Sequence, residues 1–280
     1  MVEAAAGLGI TRCGNREFRW GERTYVMGII NLTSDSFSGD GLGADVDAAI
    51  ARARKMAADG ADIIDVGAES TRPGSSPVAA EEEIRRLLPV VEALVAEVGL
   101  PISVDTYKAD VARLVTRAGA GMINDVWGFK NDPDMAAVVA ASGLPVVLTH
   151  NQSHTLYRNL VADIIGSLYQ SMALALGAGV EWENIIIDPG IGFGKTMEHN
   201  LEILRRLPEF KVLGRPILLG TSRKSTIGRV LNLPPESRLE GTAATVAIGI
   251  ANGADIVRVH DVMEMTRVSR MSDAIARGNW

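Results

Sequence analysis

The sequence predicts an α/β protein folded as a (β/α)8 TIM barrel. Three observations carry this: short apolar runs recur along the chain, helical patterns alternate with them, and glycines mark several junctions where a helix gives way to the next run. Eight such runs lie at residues 26–31, 61–66, 101–105, 121–126, 145–150, 184–188, 216–221 and 255–260. Runs that are apolar almost throughout suit a parallel sheet covered on both faces, because each crossover lays its helix across the sheet. Eight repeats favour closure into a barrel. An open doubly wound sheet is the alternative, since pattern alone does not show closure.

Taken in order, residues 1–25 stand apart, with Gly14-Asn15 between Ile10-Thr11-Arg12 and Phe18-Arg19-Trp20 suggesting a small hairpin. From residue 26 the rhythm is regular. Helical patterns follow at 46–58, 81–98, 108–118, 134–141, 160–176, 198–207, 238–251 and 263–276, the first rich in alanine. Gly60, Gly119, Gly143 and Gly253 each follow a helical pattern, where a left-handed C′ residue is wanted. No Pro/Gly/Ser-rich linker divides the chain, so residues 1–280 read as one barrel domain, with 1–25 as the hairpin extension and 26–278 as the (β/α)8 barrel.

With 47% hydrophobic residues over 280 positions, the chain can bury a substantial core. Lys and Arg total 28 against 34 Asp and Glu, a net charge of -6, which lacks the basic footprint of a nucleic-acid binder. A lone Cys13 excludes an intrachain disulfide and a cysteine-based zinc cage, and it fits a reducing compartment. The start, Met1-Val2-Glu3, is acidic where a secretory leader is basic, and the longest apolar passage, residues 135–148, is too short and too broken to span a bilayer. These features predict a cytoplasmic protein with neither nucleic-acid nor membrane partners.

In a barrel of this kind the active site forms at the C-terminal ends of the strands. Every predicted strand delivers a polar residue there: Asn31; Asp65 with Glu69, Ser70, Thr71 and Arg72; Asp105; Asn124 and Asp125; His150; Asp188; Ser222, Arg223 and Lys224; Arg258, His260 and Asp261. A single strand-end Asp is as apt to cap a helix as to act chemically, but so many converging charges require compensation, and a polar ligand supplies it. Asp105, Asn124 and Asp188 suit a flat heterocycle rich in N–H donors, with Lys224 available to a ring carbonyl. Arg72, Arg258 and His260 concentrate positive charge suited to phosphate, Arg258 and His260 sharing one face of a strand. Asn31 is a neutral oxygen donor, compatible with a hydrated Mg2+ that reaches its substrate through phosphates. The predicted ligand is therefore a heterocycle carrying a phosphate or diphosphate. The stretch Glu69-Ser-Thr-Arg-Pro-Gly-Ser75 reads as a Pro-Gly turn able to carry Arg72 over a phosphate, or as a plain turn. Asp188-Pro-Gly-Ile-Gly-Phe-Gly-Lys195 fits neither dinucleotide nor Walker patterns, and its Phe193 is either a core plug or an aromatic pocket wall.

Several separated motifs, in order, then resemble the dihydropteroate synthase family of pterin-binding (β/α)8 barrels. They are Met27-Gly-Ile-Ile-Asn-Leu-Thr33 with Asp35-Ser-Phe-Ser38, Asp65-Val-Gly-Ala-Glu-Ser-Thr-Arg-Pro-Gly74, Ser103-Val-Asp-Thr106, Asn124-Asp125, the Asp188 to Lys195 stretch, Ser222-Arg-Lys-Ser225 and Arg258-Val-His-Asp261. The resemblance covers roughly residues 25–278. It implies condensation of 6-hydroxymethyl-7,8-dihydropterin diphosphate with p-aminobenzoate to give 7,8-dihydropteroate and diphosphate, a step of folate biosynthesis and a sulfonamide target. It further implies Mg2+ as cofactor, held through Asn31, and a homodimer through barrel helices.

Carried over residue by residue, the resemblance implies that Asp105, Asn124, Asp188 and Lys224 hold the pterin. Asn31, Arg72, Arg258 and His260 would hold the diphosphate, and Thr71, Arg72, Pro73, Phe193, Ser222 and Lys224 would shape the aminobenzoate site. Asp105, Lys224, Arg258, His260 and Asp35 are its catalytic group, in a dissociative C–O cleavage that needs no protein nucleophile. Loops at 33–43 and 70–77 would close over both substrates. The chain departs from the family pattern at Ser34, Ala68, Thr149 and Val126-Trp127-Gly128-Phe129, positions that bear on loop movement and the outer aminobenzoate pocket. Two rival readings stand beside this one, a pterin-dependent methyltransferase acting with a corrinoid protein and a non-catalytic pterin-binding protein.

Overall fold

On most barrel strands the inward face switches from apolar to polar along its length, and the fold follows from how those strands close. A computed structural model of the chain describes residues 8–14, 16–32, 45–70 and 77–278. Two short antiparallel strands, β1 (Ile10–Cys13) and β2 (Arg16–Arg19), form the hairpin. Then come β3 (Tyr25–Asn31), α1 (Val46–Ala58), β4 (Ile63–Gly67), α2 (Ala80–Glu97), β5 (Ile102–Asp105), α3 (Ala109–Arg117), β6 (Met122–Asp125) and α4 (Met135–Ser142). The second half continues with β7 (Val146–Thr149), α5 (Leu160–Ala178), β8 (Ile185–Asp188), α6 (Met197–Arg205), β9 (Leu218–Leu219), α7 (Ser225–Leu231), α8 (Leu239–Ala251), β10 (Ile256–Val259) and α9 (Val262–Arg277).

Successive strands from β3 to β8 pair in parallel, β9 pairs in parallel with β10, and β10 returns to β3. The remaining gap is bridged where Ile187 pairs with Ile217, its N–H donating to Pro216 O at 3.0 Å. Strand order therefore runs round the ring without reversal, which removes the open doubly wound alternative, whose order must reverse. The separator glycines Gly60, Gly119, Gly143 and Gly253 all take positive φ.

Side-chain caps mark three of the nine helix starts among the described residues. Asp45 caps α1 through Ala48 N, Asn159 caps α5 through Ala162 N, and Thr196 with His199 forms a capping box on α6. The prediction missed α7 as a helix and the 3-10 turns at Leu207–Leu213 and Pro235–Ser237, whose short lengths carry no readable periodicity. Helix α5 is long and apolar enough to cross a membrane by length and composition, yet it lies between β7 and β8 and buries Leu160, Val161, Ile164 and Leu168 against the barrel.

Two apolar cores result. The larger lies between the strands' outward side chains and the helices. The smaller gathers Met27, Ile63, Met122, Val147, Ile186, Leu218 and Ile256 with Cys13, Phe18 and Trp20 of the hairpin region. Those strand residues stand two positions apart from the polar ones in the same rows, as Ile63 does from Asp65 and Met122 from Asn124, so they face the same interior. The hairpin thus plugs the N-terminal end of the barrel and leaves the C-terminal end open for chemistry.

Candidate active site

The period-two rule puts Asp65, Ser103, Asp105, Asn124, Asp188 and Arg258 on the inner wall, above the apolar plug. Asp65 is fully buried and lies at the centre. It accepts from Arg258 Nε at 2.6 Å, Ser103 Oγ at 2.6 Å and Asn124 Nδ2 at 3.2 Å. Arg258 also donates to Asp105 Oδ2 at 2.9 Å, so one guanidinium spans two carboxylates. The other Asp105 oxygen, Oδ1, is buried without a partner. Burial pushes the Asp105 carboxyl up to about 7, with Arg258 pulling down and Asp65 pushing further up. An acceptor held unpaired and reluctant to ionise is poised for a donor or a cation from a ligand.

Opposite stands the β9 loop. Arg223 adopts φ 56°, a left-handed conformation unusual for a side chain of its size. It is held there by a two-pronged pair with Asp261, by Thr242 Oγ1 accepting from its N–H at 3.1 Å, and by Arg238 donating to its carbonyl at 2.8 Å. The held turn fixes the residues on either side. Ser222 Oγ lies 2.9 Å from His260 Nδ1, and Lys224 donates to Ile191 O while its ammonium sits 4.8 Å from the centre of the Phe193 ring. Burial lowers the Lys224 amine to about 8 despite the pull of Asp188. Burial likewise raises the Asp188 carboxyl, although Lys224 opposes it.

Beside this wall a cavity of about 600 Å3 opens between Glu69, Tyr107, Trp127, Gln152, Phe193 and Arg229. Trp127, one of the departures from the family pattern, is part of its rim.

Of the sequence-predicted residues, the structure brings Asn31, Asp105, Asn124, Asp188, Ser222, Lys224, Arg258, His260 and Phe193 to the C-terminal end of the barrel. Asp35, Thr71, Arg72 and Pro73 lie outside the described residues. Some polar strand ends do not face the ligand space. Asp125 accepts the N–H groups of Trp127 and Phe129, both at 2.8 Å, and so fastens its own loop. Asp261 is taken up by Arg223, while Glu69, which lines the cavity, is also tied down by its pair with Lys108 and by Tyr107, from which it accepts at 2.7 Å. Sequence reasoning gave Asp65 and Ser103 no role. Their inward parity with Asp105 was the available signal.

Among the described residues, no group of three or more His, Cys, Asp or Glu side chains is placed to cage a metal. Asn31 ends β3, half-buried, and its side chain makes no hydrogen bond among the described residues. That donor set fits a magnesium ion that keeps its waters and leans on substrate phosphates.

Comparisons with known proteins place the whole barrel in one family. The family model described as pterin binding enzyme matches residues 27–260. The dihydropteroate synthase of Clostridium beijerinckii is 54% identical over 267 residues, covering 95% of this chain and 99% of that one. A crystal structure of dihydropteroate synthase from Clostridium difficile with pteroic acid is 52% identical with a TM-score of 0.89, over 92% of this chain and 98% of that one. The Xanthomonas albilineans dihydropteroate synthase with 4-aminobenzoic acid is 40% identical with a TM-score of 0.90, over 96% and 98% of the two chains.

Proposed function

Because the chain belongs to the pterin binding enzyme family, and to its dihydropteroate synthases, we propose how its residues divide the work of that reaction. The reaction joins 6-hydroxymethyl-7,8-dihydropterin diphosphate to p-aminobenzoate and releases diphosphate. The observation that carries our assignment is the gathering at one end of the barrel of Asp105, Asn124 and Asp188 with Lys224, Phe193, Ser222 and His260, and of Arg258, whose guanidinium spans Asp65 and Asp105.

The pterin lies deep, its N–H donors meeting Asp105, Asn124 and Asp188 and its carbonyl meeting Lys224. The unpartnered Asp105 Oδ1 is the acceptor that such a donor satisfies. Arg258 and His260 face the diphosphate with Asn31. Asn31 would hold a bound Mg2+, which would supply further neutralisation of the diphosphate charge.

Cleavage breaks the bond from the methylene carbon to oxygen, and the electron pair leaves with the diphosphate. The methylene carbon becomes cationic, and the ionised Asp105 stabilises it electrostatically. The aromatic amine then forms the C–N bond and loses its proton to solvent or diphosphate. Phe193 and Lys224 orient the aminobenzoate ring, and Ser222 takes its carboxylate. No protein nucleophile takes part.

A homodimer is part of the same reading. Val230 and Leu231 on α7, Ile248 on α8, and Met271 and Ile275 on α9 are exposed apolar side chains that a second copy would cover. The direct test of the whole proposal is incubation with dihydropterin diphosphate, labelled aminobenzoate and Mg2+. Labelled dihydropteroate is expected. Folded protein that forms none overturns it, and methyl transfer from methyltetrahydrofolate under matched conditions would favour the corrinoid-dependent rival.

A further inference from the structure

The stretch from Asp188 to Lys195 has a role at Asp188 and at Phe193, but its glycines and its lysine are so far unexplained. In the structure this loop lies directly on the loop that follows β7. Gly190 has φ 73°, and a Cβ there would stand 1.9 Å from His150 O. Gly194 has φ 56°, and a Cβ there would stand 2.4 Å from Gln152 O. Both positions therefore need glycine, for conformation and for the approach of a second backbone. The Tyr157 hydroxyl donates to Gly194 O at 2.9 Å, and Gly192 N–H donates to Asn200 Oδ1 at 2.8 Å, tying the loop to α6.

Lys195 sits between the two loops. Its amine lies 2.8 Å from His150 Nδ1, donates to Phe193 O at 2.9 Å and reaches His150 O at 3.5 Å. Burial lowers the Lys195 amine well below its ordinary value, with Asp188 opposing the shift; its protonated form has three donors for these three acceptors. Burial, and next the Lys195 charge, hold the His150 imidazole neutral by lowering it to about 2, so Nδ1 stays available as an acceptor.

We propose that Lys195 is a positioning residue for the amine substrate: it pins the β8 loop to the end of β7, so that the Phe193 ring is presented to Lys224 and to the aminobenzoate. A glycine-rich loop without such a pin samples many conformations. If the ring occupies its working pose for only a fraction of the time, apparent affinity for whatever stacks on it falls by that fraction. The site is compact enough for this to matter. A Cβ at Gly192 would stand 3.3 Å from Lys224 Cδ, so a small shift of the loop displaces Lys224 as well as the ring. The proposal rests on the reading of Phe193 and Lys224 as the aminobenzoate wall.

Lys195→Met keeps the aliphatic stem and removes the donors. The expected result is a KM for aminobenzoate raised about tenfold, in line with losing about one to two buried hydrogen bonds, while the KM for the pterin diphosphate stays within about twofold. Phe193→Leu should raise the same KM, and the double variant should show much less than the sum of the two effects, because both act through one ring. Tyr157→Phe, a milder loosening of the same loop, should move the aminobenzoate KM in the same direction and serves if Lys195→Met does not fold.

Failures separate cleanly. If Phe193→Leu raises the aminobenzoate KM but Lys195→Met leaves it unchanged, or if the two add fully, the positioning role is overturned and the amine-site reading stands. If neither variant moves it, the amine-site reading falls with the proposal. A Lys195→Met penalty that vanishes when 4-aminobenzamide replaces aminobenzoate would mean that Lys195 contacts the carboxylate directly, which also overturns it.

Discussion

The two ends of the barrel are built from the same strands by the same alternation, yet they do opposite things. At the N-terminal end the inward rows are Met27, Ile63, Met122, Ile186 and Ile256, closed off by Phe18, Trp20 and Tyr25, whose rings meet edge-on or stacked at 4.8 to 5.8 Å. One step further along those rows stand Asp65, Asn124, Asp188 and Arg258. The plug is satisfied by its own contacts: even the Trp20 indole N–H donates to Thr11 Oγ1 at 2.9 Å. The other end is left incomplete, with an orphaned Asp105 oxygen and shifted acid and amine groups. One end spends its burial on stability and the other holds charges whose best partner is the substrate.

The largest effect expected from that contrast is at the plug. Trp20→Ala should cost about 3–5 kcal/mol of unfolding free energy, as for other buried aromatic truncations, while kcat/KM of the folded fraction stays within about twofold. Denaturant titration with assays on the remaining native protein checks both halves, and a loss of kcat/KM in the native fraction would break the division between the ends.

At the open end the pattern inverts. Asp105→Asn should lower kcat by about 10^2–10^3, the scale of losing one electrostatic contact to developing charge. Its melting temperature should stay within about 4 °C of the parent, because Arg258 keeps Asp65 and can still donate to the amide oxygen, while a buried carboxyl that burial disfavours ionising becomes a neutral amide. Equal losses of turnover and stability would assign Asp105 to structure.

The smallest effect, and the sharpest discriminator, is pH. Asp105 must be ionised to stabilise the cation, and burial has raised it to about 7, so kcat/KM should climb as pH rises through about 7. Lys224 must be protonated to meet the pterin carbonyl, and burial has lowered it to about 8, so kcat/KM should fall beyond about 8. The sign for folding is opposite at Asp105. A carboxyl with a raised pKa binds its proton more tightly in the folded state, so its contribution to stability improves as pH falls through about 7 toward the ordinary carboxylate value. A pH–rate profile and a pH–melting profile that run in parallel between pH 5 and 7 would remove Asp105 from the chemistry, and the Asp105→Asn profile should lack the acidic limb.

Much of the site was legible. Asp105, Asn124, Asp188, Lys224, Arg258 and His260 were readable as strand-end residues of a barrel, and they gather where that reading puts them. The errors came from treating every polar strand end alike. Asp125 and Asp261 sit beside ligand-facing residues in sequence but are consumed by loop amides and by Arg223. Asp65, given no role, proves to be the acceptor that aims Arg258. A one-residue change of parity, or a partner far away in the chain, separates these cases, and neither is visible in composition.

What the sequence determined by itself was the alternation of strands and helices, the hairpin, and the polar character of the strand ends. These depend on local periodicity, since burial on a strand repeats every second residue and on a helix every three to four. Tertiary structure alone decided the rest. The barrel closes at Ile187 and Ile217. Arg258 is shared between Asp65 and Asp105, at sequence separations of 193 and 153 residues. Lys195 reaches across to His150, a separation of 45. Each of these is a meeting of distant segments whose register is set by the closed ring of strands, and the free energy of such a contact exists only once the ring has formed.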